Sequence, residues 1–505
     1  MADVEKGKQL PAESGTIIEV TPEESYEVNK YGSLAWKVVR WFRAEETGVE
    51  RVTEEMRTNQ SPYSMGILWM SINMVPLGCN IGMQGITYYG MSFWDSALCI
   101  IFFNLLGVLP VAYMSTFGPI FGMRQMVLTR FFVGYQVMRL FAFINALTCM
   151  GWSILNDISS ANLLHTLGDG ALPPWACILI SVFLTMIITV LGYRTIHKVV
   201  SWFWVPTIIV LFIFIARIKI SDSFSTGTMG AGRAEAGAVL SYGAALVGNA
   251  SGWTLFACDY SLYLKPTTSK WKLSLSIYVG ILFTTMFLQL TGLAAAACTY
   301  KNAYFAQMYE EQGGGGLFYA LLVHDSLGRF GQFCIVVLFL SLVACNVACV
   351  YSASLSAQAI CSKFRLIPRF FWALLANVVG LVVSIVAFYK FDEVLNDILA
   401  IISYFITLYV GIFISEHFIY RRKLGYKIET YQDAKSMPFS YAGLFAFCCG
   451  VTGAVVGMYE AWWTGPLAKD ISTVFPGDIG FELAFAFAFV GHASTRWLEI
   501  KRYGL

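Results

Sequence analysis

Between residues 66 and 497 this chain repeats one pattern: an apolar run of about twenty residues, then a short polar connection. A bilayer core about 30 Å thick is crossed by roughly 20 residues of helix. Few other folds suit such a chain, because backbone groups in hydrocarbon must all be paired internally. The runs lie at about 66–89, 94–117, 131–160, 175–193, 200–217, 236–263, 272–298, 331–359, 370–389, 393–417, 440–459 and 479–497. They lack the period-2 alternation of a membrane barrel, so an all-α membrane protein of about twelve helices is expected. Charged residues make up 13% of the chain, against about 25% in soluble domains. That balance excludes a disordered scaffold and a small disulfide-stapled secreted domain. A net charge of +2 gives no reason to expect nucleic acid as a partner.

The organisation follows from the same pattern. Residues 1–62 read as a polar tail, 63–417 as a ten-helix core, 418–439 as a loop, 440–497 as two peripheral helices and 498–505 as a second tail. No cleavable signal is visible, so the first span is expected to direct insertion. Lys and Arg gather on alternate connections: Arg124 and Arg130, Arg194 and Lys198, Lys265 to Lys272, Lys363 to Arg369, and Arg421 to Lys435. Arg217, Lys219 and Arg233 dissent, but the weight of the loops places both termini in the cytoplasm.

Two segments are interrupted. The first contains Val75-Pro76-Leu77-Gly78-Cys79-Asn80 at mid-span, and the sixth contains Val247-Gly248-Asn249-Ala250-Ser251-Gly252-Trp253. Proline removes a backbone donor and glycine weakens a helix, and such breaks survive at membrane depth only beside protein or a water-filled cavity. Breaks at matching positions of two successive five-helix blocks are the pattern of an inverted-repeat transporter, with the binding site at the breaks. Helices 1–5 and 6–10 would form the repeats.

In the third segment Trp152 and Asn156 are four apart and share a face. An indole offers a flat surface to a planar ring, and an amide offers both donor and acceptor to its edge. An interfacial Trp and a packing Asn would show the same spacing. Trp253 would supply a second aromatic face, and Asn346 in the eighth segment is hard to place against lipid. Together they suggest a planar, hydrogen-bonding heterocycle. The twelve cysteines lie in or beside apolar runs with no metal-ligand spacing, so no metal site or cofactor is expected. No catalytic constellation appears and no enzyme is expected. Gly313–Gly316 reads as a flexible linker. Ionisable residues within spans are suspects for gating or coupling: Asp259, with Arg124 or Lys265 as partner; Asp397, a possible proton carrier; and Glu416, beside the basic loop from Arg421.

The chain resembles the fungal purine–cytosine permeases of the nucleobase–cation symporter family along nearly the whole membrane region. The carrying segments are Gly122-Met123-Arg124-Gln125-Met126-Val127, Gly192-Tyr193-Arg194 with Trp202-x-Trp204-x-Pro206, Gly252-Trp253 with Asp259-Tyr260-Ser261, Ser415-Glu416-His417-Phe418, Trp463-x-Gly465-Pro466 and Gly477-Asp478-Ile479-Gly480-Phe481-Glu482-Leu483-Ala484. Gly48-Val49-Glu50-Arg51-Val52-Thr53 also matches the family's N-terminal tail. The resemblance implies a five-plus-five inverted repeat of the leucine-transporter type in the fungal plasma membrane, importing a nucleobase with a proton. It places Trp152, Asn156 and Trp253 where the family holds the base. Departures are concentrated in helix eight, where Cys345-Asn346-Val347-Ala348-Cys349 replaces an Asn-Asn-x-Pro-Asn stretch and puts Cys349 where a base-binding Asn is usual. Gly78 stands where Ser is frequent, with Asn80 near enough to replace its hydrogen bond, and Val200 stands where Glu is frequent. The expected binding set is therefore Asn80, Trp152, Asn156, Trp253, Asn346 and Cys349. A pyridoxine-like vitamin or a nucleoside is the alternative cargo, and a receptor without flux is the alternative class.

Overall fold

The computed structural model describes residues 51–503 except 58–60, 169, 191, 192, 366, 368 and 435. Most of the expected tail and the side chain of Val200 lie outside the described residues. A helix, or a broken pair, covers each apolar run. Helix 1 is split into Pro62–Asn73 and Leu77–Thr87. Helices 2 to 5 are Phe93–Phe121, Gln125–Leu167, Pro174–Val190 and Tyr193–Ile220. Helix 6 is Arg233–Ser251, followed by a turn at Thr254–Phe256 and a short helix at Cys258–Ser261. Helices 7 to 12 are Lys270–Ala296, Arg329–Ile360, Arg369–Ala387, Phe391–Ile414, Tyr441–Gly457 and Gly480–Tyr503. Among the described residues the sheet content is one hairpin, Tyr459–Glu460 paired with Trp463–Thr464.

Local chemistry sets the boundaries. Ser61 accepts from the Tyr63 amide with Pro62 at the first helical position, which opens helix 1. Ser92 and Ser440 cap helices 2 and 11 in the same way. The two halves of helix 1 meet at 59°, with Pro76 just ahead of the second half. The residues of helix 3 ahead of Gly134 are kinked away from its long segment, because Gly134 takes a left-handed φ of 76° and a Cβ there would lie 2.5 Å from the Pro438 carbonyl.

Among the described residues, six helical runs are long and apolar enough to cross a bilayer, and the bent pair of helix 1 makes a seventh. One of the six, Arg369–Leu424, contains both helices 9 and 10, separated by the tight turn Phe388–Lys390. Helix 6 is not among them, being rich in Ala and Gly and carrying Arg233 and Glu235 at its start, and most of it is buried in the protein. Helix 1 packs on helix 7 at backbone contact: a Cβ on Gly82 would sit 1.9 Å from the Gln289 carbonyl, and one on Gly292 would sit 2.0 Å from that of Cys79. Small residues at such seams allow close packing where lipid supplies no hydrophobic drive. Helix 3 lies along helix 8, its counterpart in the second block, while helices 11 and 12 pack on each other and on helix 10.

The expected linker at Gly313–Gly316 is not one. These residues lie within the helical segment Ala303–Leu322, and Gly314–Gly316 are buried. A Cβ on Gly314 would fall 2.2 Å from Asn80 Oδ1, and one on Gly315 would fall 2.8 Å from the Asn162 carbonyl. Glycine serves close backbone approach here, which a run of glycines in sequence does not distinguish from flexibility.

Candidate substrate site

The two breaks meet at one pocket. Helix 1 contributes Asn73, Val75, Leu77 and Gly78; helix 3 contributes Trp152 and Asn156. Asn249 and Trp253 come from helix 6 and its break, Thr285 and Leu288 from helix 7, and Cys345 and Cys349 from helix 8. Interrupting a helix releases backbone groups and lets residues of one strand of chain turn inward together.

Hydrogen bonds fix this lining. Asn73 donates from Nδ2 to the Trp69 carbonyl at 2.8 Å and accepts at Oδ1 from Trp253 Nε1 at 2.8 Å, so one amide ties the break of helix 1 to that of helix 6. The Trp253 ring is held edge-on by Trp69, with centroids 5.0 Å apart, and by Phe256 at 5.1 Å. Trp152 rests on the backbone of Gly252, where an added Cβ would lie 2.8 Å from the indole Cζ2. Asn156 Nδ2 donates to the Trp152 carbonyl at 2.9 Å and reaches Cys349 Sγ at 3.8 Å. Its Oδ1 is buried and accepts no hydrogen bond among the described residues. Leaving a buried acceptor unmet costs about 1–3 kcal/mol.

The expected binding residues therefore separate. Trp152, Asn156, Trp253 and Cys349 come together. Asn80 lies off the lining, donating to Ser159 Oγ at 2.9 Å with its Oδ1 toward Gly314. Asn346 is fully buried one turn from Cys349 and donates to Asp157 Oδ1 at 2.9 Å. Asn73, Asn249 and Thr285 were not among the expected contacts. Asn249 stands in the last turn before the sixth break and Asn73 just ahead of Pro76, so proximity to a break was the available signal; Thr285 offers none.

The three acidic candidates occupy different settings. Asp259 accepts from the Gln125 amide at 2.9 Å, capping helix 3, while Arg124 Nη1 reaches the Asp259 carbonyl at 3.5 Å. Asp397 is half-buried beside Glu460 of the hairpin. Glu416 is fully buried between Arg421, at 2.8 Å, and Arg496 of helix 12, at 2.9 Å. Among the described residues no cluster of His, Cys, Asp and Glu is arranged to hold a metal ion.

A family model described as permease for cytosine/purines, uracil, thiamine, allantoin matches residues 51–474. The purine-cytosine permease FCY2 of Saccharomyces cerevisiae is 38% identical over 487 residues, covering 95% of this chain and 91% of that protein. The purine-cytosine permease fcyB of Emericella nidulans is 37% identical over 480 residues, covering 94% and 93%. Among solved structures, Mhp1, a nucleobase-cation-symport-1 family transporter in a closed conformation with bromovinylhydantoin bound, matches with a TM-score of 0.68 over 90% of this chain and 96% of its own, at 14% identity. At that identity the likeness is one of fold, and it gives the inverted repeat of the leucine-transporter type with helices 1 and 6 interrupted. Family model, full-length relatives and fold agree: the chain belongs to the family of permeases for cytosine/purines, uracil, thiamine and allantoin, and it is a multi-pass membrane transporter rather than an enzyme.

Proposed function

We propose that this transporter imports a purine or pyrimidine nucleobase of the cytosine, adenine and hypoxanthine class by alternating access, driven by the proton gradient. The observation that carries the reading is the pocket: two indoles and the unmet acceptor of Asn156 converge where helices 1 and 6 break. Flat π-faces stack any base, and an edge acceptor selects ring N–H or exocyclic amino groups. The relatives named for purine and cytosine transport favour the same cargo.

Alternating access needs barriers on both sides of the pocket. Towards the basic end, Asp259 and Arg124 join the second part of helix 6 to the start of helix 3 and form the inner gate. Towards the other end, Asn80, Ser159 and Gly314 close the path above Trp152. The basic connections orient the chain with both termini in the cytoplasm, in the fungal plasma membrane. Uptake competition tests the cargo: in cells lacking their own permeases, unlabelled cytosine, adenine and hypoxanthine should block entry of radiolabelled cytosine, while pyridoxine and nucleosides should not. Blockade by pyridoxine alone would move the assignment to a vitamin.

A further inference from the structure

The carboxyl of Asp157 lies next to the pocket and no part of the site described so far uses it. It is 1% exposed. Its Oδ1 accepts from Asn346 Nδ2 at 2.9 Å and from Ser181 Oγ at 3.0 Å, so helices 3, 4 and 8 meet on one oxygen. No basic side chain pairs with it among the described residues. A buried charge without a counter-ion is expensive, so what surrounds this carboxyl matters.

The surrounding hydroxyls fit both protonation states. Ser160 Oγ lies 2.7 Å from Ser181 Oγ and 2.9 Å from the backbone carbonyl of Asp157. With Asp157 ionised, Ser181 donates to the carboxylate and Ser160 donates to Ser181. With Asp157 protonated, its O–H donates to Ser181, Ser181 donates to Ser160, and Ser160 donates to the Asp157 carbonyl. Every hydroxyl keeps a partner in either state, because a hydroxyl is both donor and acceptor. Only the direction of the chain reverses.

Among the described residues, none of the titratable groups on the packed elements is hydrogen-bonded to the Asp157 carboxyl, which is held by Asn346 and Ser181. Helix 8 presents Cys345 and Cys349, helix 4 has Cys177 and helix 1 has Cys79. Helix 9 carries Arg369 at its far end, over the Tyr351 ring. On helix 10, Asp392 accepts from Tyr309 of the Ala303–Leu322 segment and Asp397 faces Glu460; that segment's Glu310 and Glu311 are not fully buried. Asp157 adjoins the pocket through two neighbours. Asn156 is the neighbouring residue and lines the pocket, and Asn346, which donates to Asp157, is next to Cys345 and one turn from Cys349 on helix 8, both of which line the pocket.

We propose that Asp157 is the residue that binds and releases the coupled proton. This rests on the proton-coupled reading above, and the test separates the two. The purified transporter in proteoliposomes is given radiolabelled cytosine under an imposed proton gradient, and separately in counterflow without one. Wild type should concentrate cytosine until the gradient is collapsed by a protonophore; if it does not, proton coupling itself fails and the proposal falls with it. Asp157→Asn, which keeps the shape and accepts the same hydrogen bonds, should retain counterflow within about threefold of wild type while its gradient-driven accumulation falls to none. Accumulation at the wild-type level in Asp157→Asn overturns the proposal and leaves proton coupling standing. Ser181→Ala is the second probe, with Asp157 intact. Removing this hydroxyl breaks the relay and should shift the pH midpoint of uptake, whereas a purely structural role would lower transporter abundance and leave the midpoint where it was, overturning the assignment.

Discussion

Substituting Gly252 by alanine probes the aromatic surface of the pocket without touching a polar contact. Gly252 has φ −50° and ψ −29°, a right-handed conformation open to any residue, so the backbone bears no new strain. The added methyl would lie 2.8 Å from Trp152 Cζ2 and 3.1 Å from Cε2 and Nε1. Carbon atoms prefer about 3.5–4.0 Å, so the indole must retreat by several tenths of an ångström. Overpacking of this kind costs about 1–3 kcal/mol, and stacking a base on an aromatic ring contributes about the same. Returning the ring to its place on binding therefore weakens apparent affinity by about 5- to 150-fold. The assay is the inhibition constant of cytosine against its own radiolabelled uptake, normalised to transporter at the cell surface. Wild-type affinity at normal surface abundance would refute the placement of Trp152 as a stacking platform.

Further outcomes follow from other parts of the molecule. Cys349→Asn places a full amide where a weakly bonding thiol lines the pocket, and should favour cytosine or a purine over pyridoxine by about 0.5–1.5 kcal/mol; an unchanged ranking of inhibition constants would show that this position does not read cargo. Arg496→Met strips Glu416 and Glu499 of a shared partner, and loss of one member of a buried ion cluster costs about 3–5 kcal/mol, read as a lowered melting temperature in detergent. Burial, with the nearby carboxyls of Asp397 and Asp478, pushes Glu460 up to about 10, and burial pushes Asp478 up to about 6. The folded hairpin thus holds protons that the unfolded chain releases, so its stabilisation is complete below about pH 4.5 and fades as pH rises toward about 10. Melting temperature should fall across that interval in wild type, and much less steeply in Glu460→Gln.

What the sequence disclosed follows a physical division. The spans and the two breaks were legible because bilayer thickness fixes helix length, and because Pro76 removes a backbone donor while Gly248 and Gly252 weaken the helix. Trp152 and Asn156 were legible because four-residue spacing guarantees a common face. Asn346 shows where such reasoning stops: it shares a face with Cys349, yet a difference of one turn puts it on Asp157 instead of the pocket wall. Asn73 and Thr285 reach the site through the 59° bend of helix 1 and the seam with helix 7. Neither geometry is encoded by local pattern. Glu416 was readable as a partner of Arg421, whereas Arg496, eighty positions away, joins it only through the packing of helix 12 on helix 10. The glycines at 314–316 look like a linker in sequence and act as a close-packed floor under Asn80 and Asn162.

Proton-driven import through the aromatic pocket is tested most directly by the accumulation of radiolabelled cytosine, adenine and hypoxanthine at two external pH values, in cells lacking their own permeases, with wild type beside Trp152→Ala. Wild type should concentrate at least one of these bases, more at the lower pH and not in the presence of a protonophore, with no accumulation in Trp152→Ala at equal surface abundance. Uptake indifferent to pH and protonophore, or undiminished in Trp152→Ala, would contradict that mode of import.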